Sequence, residues 1–244
     1  MNDNGVPTFI WMKEGWNALL DNFHRILPAV LAFQLLAVMP SLLIWKSFEN
    51  RWYAMPWEVL VAAPLAVGMN LFFVSLIREG RADYGELFRG FTILPQAVAV
   101  SFLYGLIVTG GLIMLVVPGV VWGLAFVFAQ YSVLDKRTGI KGSFRYSSLI
   151  TFGFKERLLP VALLWLTLEM LTPSIVSPVG SILRMRLALD LKPWVITAFA
   201  LKTLVFLPWL NMVMADAYVS LVKHHERERR APGESEKQPA PLPL

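Results

Sequence analysis

Residues 94–134 read LPQAVAVSFLYGLIVTGGLIMLVVPGVVWGLAFVFAQYSVL, and no charged side chain interrupts them. A helix rising ~1.5 Å per residue needs ~20 apolar residues to cross a ~30 Å hydrocarbon layer. This run is about twice that, which is two crossings rather than one. Pro118 and Gly119 supply the reversal, because proline ends a helix and glycine tolerates a tight turn where no polar loop exists. The turn Val116–Val120 is therefore expected to join spans 94–114 and 117–134. One long helix kinked at Pro118 is the alternative, and it leaves half its length without a membrane to fill.

Four more apolar stretches flank this pair, at 26–45, 57–77, 158–177 and 194–222. Only 16% of the 244 residues are charged and 56% are hydrophobic, against roughly a quarter charged in a soluble globule. The expected fold is all-α: a polytopic membrane protein of six transmembrane helices. The N-terminus, MNDNGVPTFIWMKEG, lacks the cationic start, short apolar core and cleavage site of a signal peptide. Cysteine is absent, which excludes disulfides, thiolate metal sites and a cysteine nucleophile.

The cations orient these spans. Lys13, Arg25, Arg78, Arg81, Arg89, Lys136, Arg137, Lys141, Arg145, Lys155, Arg157, Lys223, Arg227, Arg229, Arg230 and Lys237 fall on one side. Lys46, Arg51, Arg184, Arg186 and Lys192 fall on the other, and Lys202 lies inside a span. The richer side is expected to be cytoplasmic, with both termini on it. Trp11, Trp16, Trp45, Trp52, Trp57 and Trp194 fall near span ends, where amphipathic rings settle at the interface. The net charge of +5 is then a topological signal and not a nucleic-acid one.

Three short stretches resemble one another around Pro28, Pro95 and Pro160, spaced 67 and 65 residues apart. Each proline is expected in the first turn of a span, where its missing amide hydrogen costs little. The ends Ser75–Arg78, Ser132–Asp135 and Ser220–Lys223 are also alike. They suggest a three-fold repeat of an amphipathic segment followed by a helical hairpin. In the first unit Phe9, Met12, Trp16, Leu19, Leu20 and Phe23 share a helical face, so residues 1–25 are expected to form an amphipathic interfacial segment. Tyr84, Leu87, Phe88 and Phe91, then Ile140, Phe144 and Phe154, are its weaker counterparts. Residues 26–222 form the transmembrane domain and 223–244 a disordered cytoplasmic tail, with the composition of one from Ala231 onward. An insertion at about 173–193 carries Pro178 to Leu187 as a short interfacial helix on the outer face.

The stretch from Gly111 to Asp135, followed by Gly139-Ile-Lys-Gly-Ser-Phe-Arg-Tyr-Ser-Ser148, resembles the membrane domain found with some glycerophosphodiester phosphodiesterases and the related YciC-like bacterial inner-membrane proteins. The shared features are a turn of the form G-x-x-L-x-x-I-P-G-I, a helix end F-A-x-Y-x-V-x-D, and G-x-x-x-A-x-x-x-S opening an amphipathic helix. Val117 replaces the isoleucine before Pro118, and Ser143 or Phe144 stands where alanine is preferred. Arg78 to Phe91 resembles the loop before the third span. The likeness covers about residues 8–170 and implies six helices in a bacterial cytoplasmic membrane. It carries no catalytic residues, and no phosphodiesterase domain fits in the chain.

Function is expected in the basic loop 136–157. Lys136, Arg137, Lys141, Arg145, Lys155 and Arg157, among aromatic side chains, suit anionic phospholipid headgroups at ~1 kcal/mol per cation; the competing reading is that they only enforce topology. Glu169 and Lys202 are costly inside a bilayer. Spans five and six bring them to similar depth, where they are expected to pair structurally or to serve transport. Gln34, Asn70, Gln130 and Asn211 read as interhelical hydrogen-bond donors and acceptors. His24, His224 and His225 lie outside the spans, and no H-E-x-x-H, G-x-S-x-G or phosphate loop is present. The expectation is a non-enzymatic protein without cofactors, whose partners are membrane phospholipids and other membrane proteins, with no nucleic acid. A small-solute or lipid transporter and a membrane subunit of an enzyme or export complex are the rivals.

Overall fold

The computed structural model describes residues 8–181 and 184–235. Helix α1 (Thr8–Phe33) runs through a π-helical turn at Gln34–Val38 into α2 (Met39–Phe48). After a 3-10 turn at Arg51–Ala54, α3 (Met55–Trp57) passes through a second π turn at Glu58–Ala62 into α4 (Ala63–Glu79). A 3-10 segment, Tyr84–Ile93, leads into α5 (Leu94–Met114), then α6 (Val116–Phe126) and α7 (Ala129–Asp135). Helices α8 (Gly139–Ile150) and α9 (Lys155–Leu171) precede strands β1 (Val176–Ser181) and β2 (Arg184–Leu189). Helix α10 (Pro193–Leu201) continues through a third π turn, Lys202–Phe206, into α11 (Leu207–Ser235).

Among the described residues, five helical stretches are long and apolar enough to cross a membrane: Phe9–Phe48, Arg51–Glu79, Tyr84–Met114, Val117–Asp135 and Pro193–Arg227. The sixth stretch, expected at 158–177, is α9, whose 17 residues reach ~25 Å at ~1.5 Å per residue. It stops because Thr172 is extended (φ −82°, ψ 124°), the conformation that Pro173 imposes on its predecessor.

The hairpin of α5 and α6 replaces the single kinked helix. Its turn is shorter than the sequence suggests: Leu115 alone is extended (φ −160°, ψ 137°) between the two helices. Pro118 sits in the first turn of α6, where no amide hydrogen is needed. Gly119 lies against Gly111, and a Cβ on Gly111 would stand 2.7 Å from the Gly119 Cα. The pair lets the two backbones touch.

Two expectations are corrected. The segment from Pro178 to Leu187 is an antiparallel hairpin, with Val176 opposite Leu189 and Ser181 opposite Arg184, not a helix. Gly180 adopts φ +113°, unsuited to helix, and the alternation Arg184-Met-Arg-Leu has the period of a strand. Pro28 and Pro160 lie inside α1 and α9 rather than in a first turn, because those helices start upstream; Pro95 alone is in the first turn of its helix. Helix α1 runs unbroken through residue 25, and α11 continues as helix to Ser235. Residues 1–7 and 236–244 lie outside the described set.

The molecule has two distinguishable ends. At one, Arg25 donates to the Gly80 carbonyl at 2.9 Å and Arg78 meets Asp135. At the other, the Trp45 indole donates to the Met185 carbonyl at 2.6 Å and Arg186 approaches Glu49 at 3.4 Å. The first is called the basic end here. The core between them is aromatic and aliphatic, with Trp11, Phe72, Phe73, Phe128, Met212 and Tyr218 fully buried. Apolar side chains also cover the outside, Ile113, Met114, Phe102 and Met170 among them, as a hydrocarbon solvent permits.

Candidate functional site

The basic end is organised by a buried carboxylate. Asp135, at the end of α7, accepts both guanidinium nitrogens of Arg78, at 2.7 and 3.1 Å, and the Tyr218 hydroxyl at 2.9 Å. Its side chain is 7% exposed, so the fork and the hydroxyl replace the water it has lost. Phe128, Tyr131 and Tyr218 pack with ring centroids 5.5–5.6 Å apart directly behind it. One side chain thus ties α4, α7 and α11 together. The sequence holds a trace of this: Arg78 and Asp135 occupy equivalent last positions in two similar span ends, and the structure brings the pair into contact.

Helix α8 docks through hydroxyls. Ser143, Ser147 and Thr151 follow at four-residue intervals on one face and are fully buried. They meet the break between α6 and α7, where backbone groups lose their helical partners. The Ser147 hydroxyl accepts from the Phe128 amide at 3.1 Å and donates to the Ala125 carbonyl at 2.8 Å. Thr151 reaches the same carbonyl at 3.2 Å, and the Ser132 hydroxyl donates to the Ser143 carbonyl at 3.2 Å. Leaving such groups unpaired in a buried site costs ~1–3 kcal/mol each. The small residues of the motif running from Gly139 to Ser147 therefore repair a broken helix, and the face they build fixes the loop's cations in place.

Those cations do not act alike. Lys136 bonds to Glu226 at 2.9 Å. Partial burial pulls its ammonium down, but the bond to Glu226, together with the nearby Tyr146 and Asp135, holds it above its ordinary value. The Arg157 guanidinium lies 5.2 Å from the Phe154 ring. Arg137, Lys141 and Arg145 are exposed and make no ion pair among the described residues. Arg137 borders a cavity of about 410 Å³ together with Arg89, Thr92 and Gln96. The two arginines come from different segments, and their sharing of one cavity is not readable from spacing.

Glu169 and Lys202 do pair, at 2.7 Å. The lysine side chain is 8% exposed and the glutamate 46%, so the ammonium is enclosed and the carboxylate opens outward. Lys202 begins the third π turn. Asn70, Gln130 and Asn211 line, with Tyr104, a cavity of about 290 Å³. The Asn70 amide donates to Gln130 at 3.5 Å and the Gln130 amide to Ser101 at 3.4 Å, long contacts that join α4, α5 and α7. Among the described residues no cluster of three His, Asp or Glu side chains has metal-site geometry.

No family model matches the chain, and no solved structure matches it. Among curated proteins it is similar to a UPF0259 membrane protein of Serratia proteamaculans, 28% identical over 126 residues, which is 51% of this chain and 50% of that protein. It is 25% identical over 120 residues to a UPF0259 membrane protein of Photorhabdus laumondii, covering 48% and 47% of the two chains. A third, from Sodalis glossinidius, is 34% identical over 74 residues, 30% of each. The matches span at most about half the length of these relatives. With five long apolar helices, this likeness marks the chain as a multi-pass helical membrane protein.

Proposed function

We propose that the chain is a non-catalytic protein of the bacterial inner membrane, with both termini cytoplasmic, which gathers anionic phospholipids at its basic end. The observation that carries this reading is that exposed cations of the 136–157 loop stand without carboxylate partners on a helix that is itself rigidly docked. Lys141 and Arg145 are exposed on α8, opposite the buried face of Ser143 and Ser147. Cations whose only duty was topology would need no fixed platform.

Near an anionic surface each such cation contributes ~1 kcal/mol. Replacing Lys141, Arg145 and Lys155 by glutamine should therefore weaken the preference for phosphatidylglycerol over phosphatidylcholine about 100-fold at low salt, an order-of-magnitude sum of three such terms. The measurement is the composition of the lipid shell retained by the full chain in mixed nanodiscs. An unchanged shell, with topology intact, would end the proposal.

A further inference from the structure

The cavity beside Arg137 supports a more specific statement, which rests on the lipid reading above. We infer that it is a single-lipid site, holding the phosphate of one anionic phospholipid between Arg89 and Arg137. The cavity lies between the 3-10 segment 84–93, the start of α5 and the residues that follow α7.

Charge is the first argument. Two guanidinium groups border the cavity and no carboxylate does. Like charges sharing a concave site repel, and an anion between them removes the repulsion. Arg89 has only a long contact with Glu86, at 3.8 Å, and the same Glu86 oxygen already accepts the Ser75 hydroxyl at 2.7 Å. Arg137 has no ion pair among the described residues. Guanidinium forks match phosphate oxygens in pairs, and the Gln96 amide adds a neutral donor on the same wall. Thr92 has a different part: its hydroxyl donates to the Arg89 carbonyl at 2.7 Å, fixing the turn that carries the arginine.

Backbone conformation is the second. Arg137 adopts φ +49°, a left-handed geometry that costs a non-glycine residue ~1–2 kcal/mol. Gly139, also on the cavity wall, has φ +70°. A strained arginine retained at the rim of a cavity is the kind of outlier that accompanies ligand sites.

The remaining wall separates a lipid from a free anion. Leu71, Ile93, Val133 and Leu134 complete the cavity. Apolar surface of this kind suits the glycerol and first methylenes of an acyl chain and offers nothing to inorganic phosphate.

The test uses the full chain in phosphatidylcholine nanodiscs doped with phosphatidylglycerol, at high salt, which screens the long-range attraction of surface cations and leaves direct paired guanidinium–phosphate bonds and apolar contacts in place. Native mass spectrometry should find one phosphatidylglycerol retained per chain. Arg89→Gln/Arg137→Gln should lower its retention tenfold or more, and Leu134→Trp, which fills the cavity and keeps both charges, should do the same. The Lys141→Gln/Arg145→Gln/Lys155→Gln variant should keep the retained lipid while losing the low-salt shell. Retention unchanged in both cavity variants overturns the site and leaves the surface reading standing. A shell unaffected by the loop variant, with the single lipid still lost from the cavity variants, overturns the surface reading alone. Displacement of the lipid by millimolar inorganic phosphate identifies an anion site and overturns the lipid assignment.

Discussion

Gly90→Val should abolish stable folding of the basic end, and Gly68→Val should do nearly the same. A Cβ built on Gly90 falls on the carbonyl of Pro64, and one built on Gly68 falls on the carbonyl of Leu87. Helix α4 and the 84–93 segment are thus pressed backbone to backbone at two points. The obstacle in each case is main chain, which cannot swing aside as a side chain can. Overpacking a core usually costs ~1–3 kcal/mol, and more where the neighbour cannot move; here ~3 kcal/mol or more is expected. The displaced segment would also lose the Ser75–Glu86 bond and shift Arg89. Gly105 and Gly110 serve as controls, because a Cβ at either meets nothing within 4 Å. Gly105→Ala and Gly110→Ala in α5 should be neutral or stabilise by a few tenths to ~1 kcal/mol. Thermal unfolding of the detergent-solubilised chain checks the set. A Gly90→Val protein with a wild-type Tm would refute the contact.

Removing the Asp135 carboxylate should be the costliest polar substitution. Asp135→Leu leaves the Arg78 fork and the Tyr218 hydroxyl without their acceptor. Breaking a buried pair from one side costs ~3–5 kcal/mol when both charges are enclosed. The Arg78 side chain is 36% exposed and regains some water, which brings the expected loss to about 2–3 kcal/mol. Tyr218→Phe removes one neutral donor to a charged acceptor and should cost about 1.5 kcal/mol. The decisive quantity is the coupling between Arg78→Gln and Asp135→Asn in a double-mutant cycle. The geometry requires the double variant to lose clearly less than the two singles added together. Additive losses would mean that the bidentate contact contributes nothing.

These ties explain what the sequence disclosed and what it withheld. Hydropathy runs and the cation imbalance are local properties, so the long apolar helices and the Pro118 hairpin were legible directly. Glu169 and Lys202 could be set at similar depth in advance by reading 158–177 and 194–222 as consecutive antiparallel spans, and they meet at 2.7 Å although α9 stops at Leu171. Arg78 and Asp135 are 57 residues apart, Asp135 and Tyr218 are 83, and nothing periodic links them. Arg78 read as one more topological cation and Asp135 as a helix end. The 176–189 hairpin was not legible because the mixed apolar and cationic content of Pro178 to Leu187 suits an interfacial helix as well as a strand, and only the alternation from Arg184 distinguishes them. Residues 1–25 read as an interfacial amphipathic segment because their apolar face is real. That face is instead spent partly on α11: the Trp209 indole donates to the Met12 carbonyl at 3.1 Å, and Trp16 meets the Trp209 ring edge-on at 5.6 Å. Gly15 lies against Val213. Amphipathicity reports that a helix has an apolar side and is silent on whether lipid or protein covers it. The hydroxyl face of α8 was half legible: the spacing of Gly139, Ser143 and Ser147 was visible, but the broken helix that they repair was not.

Because the chain contains no cysteine, a single introduced thiol reports its own side of the membrane. Lys141→Cys marks the basic end and Arg186→Cys, within β2, the opposite end; both native side chains are exposed. A membrane-impermeant maleimide added to right-side-out vesicles should label Arg186→Cys and spare Lys141→Cys, and inverted vesicles should reverse the pattern. Labelling of both thiols from the same side, or of Lys141→Cys from outside intact cells, would contradict the bundle's orientation and remove the cytoplasmic lipid surface from which the function was argued.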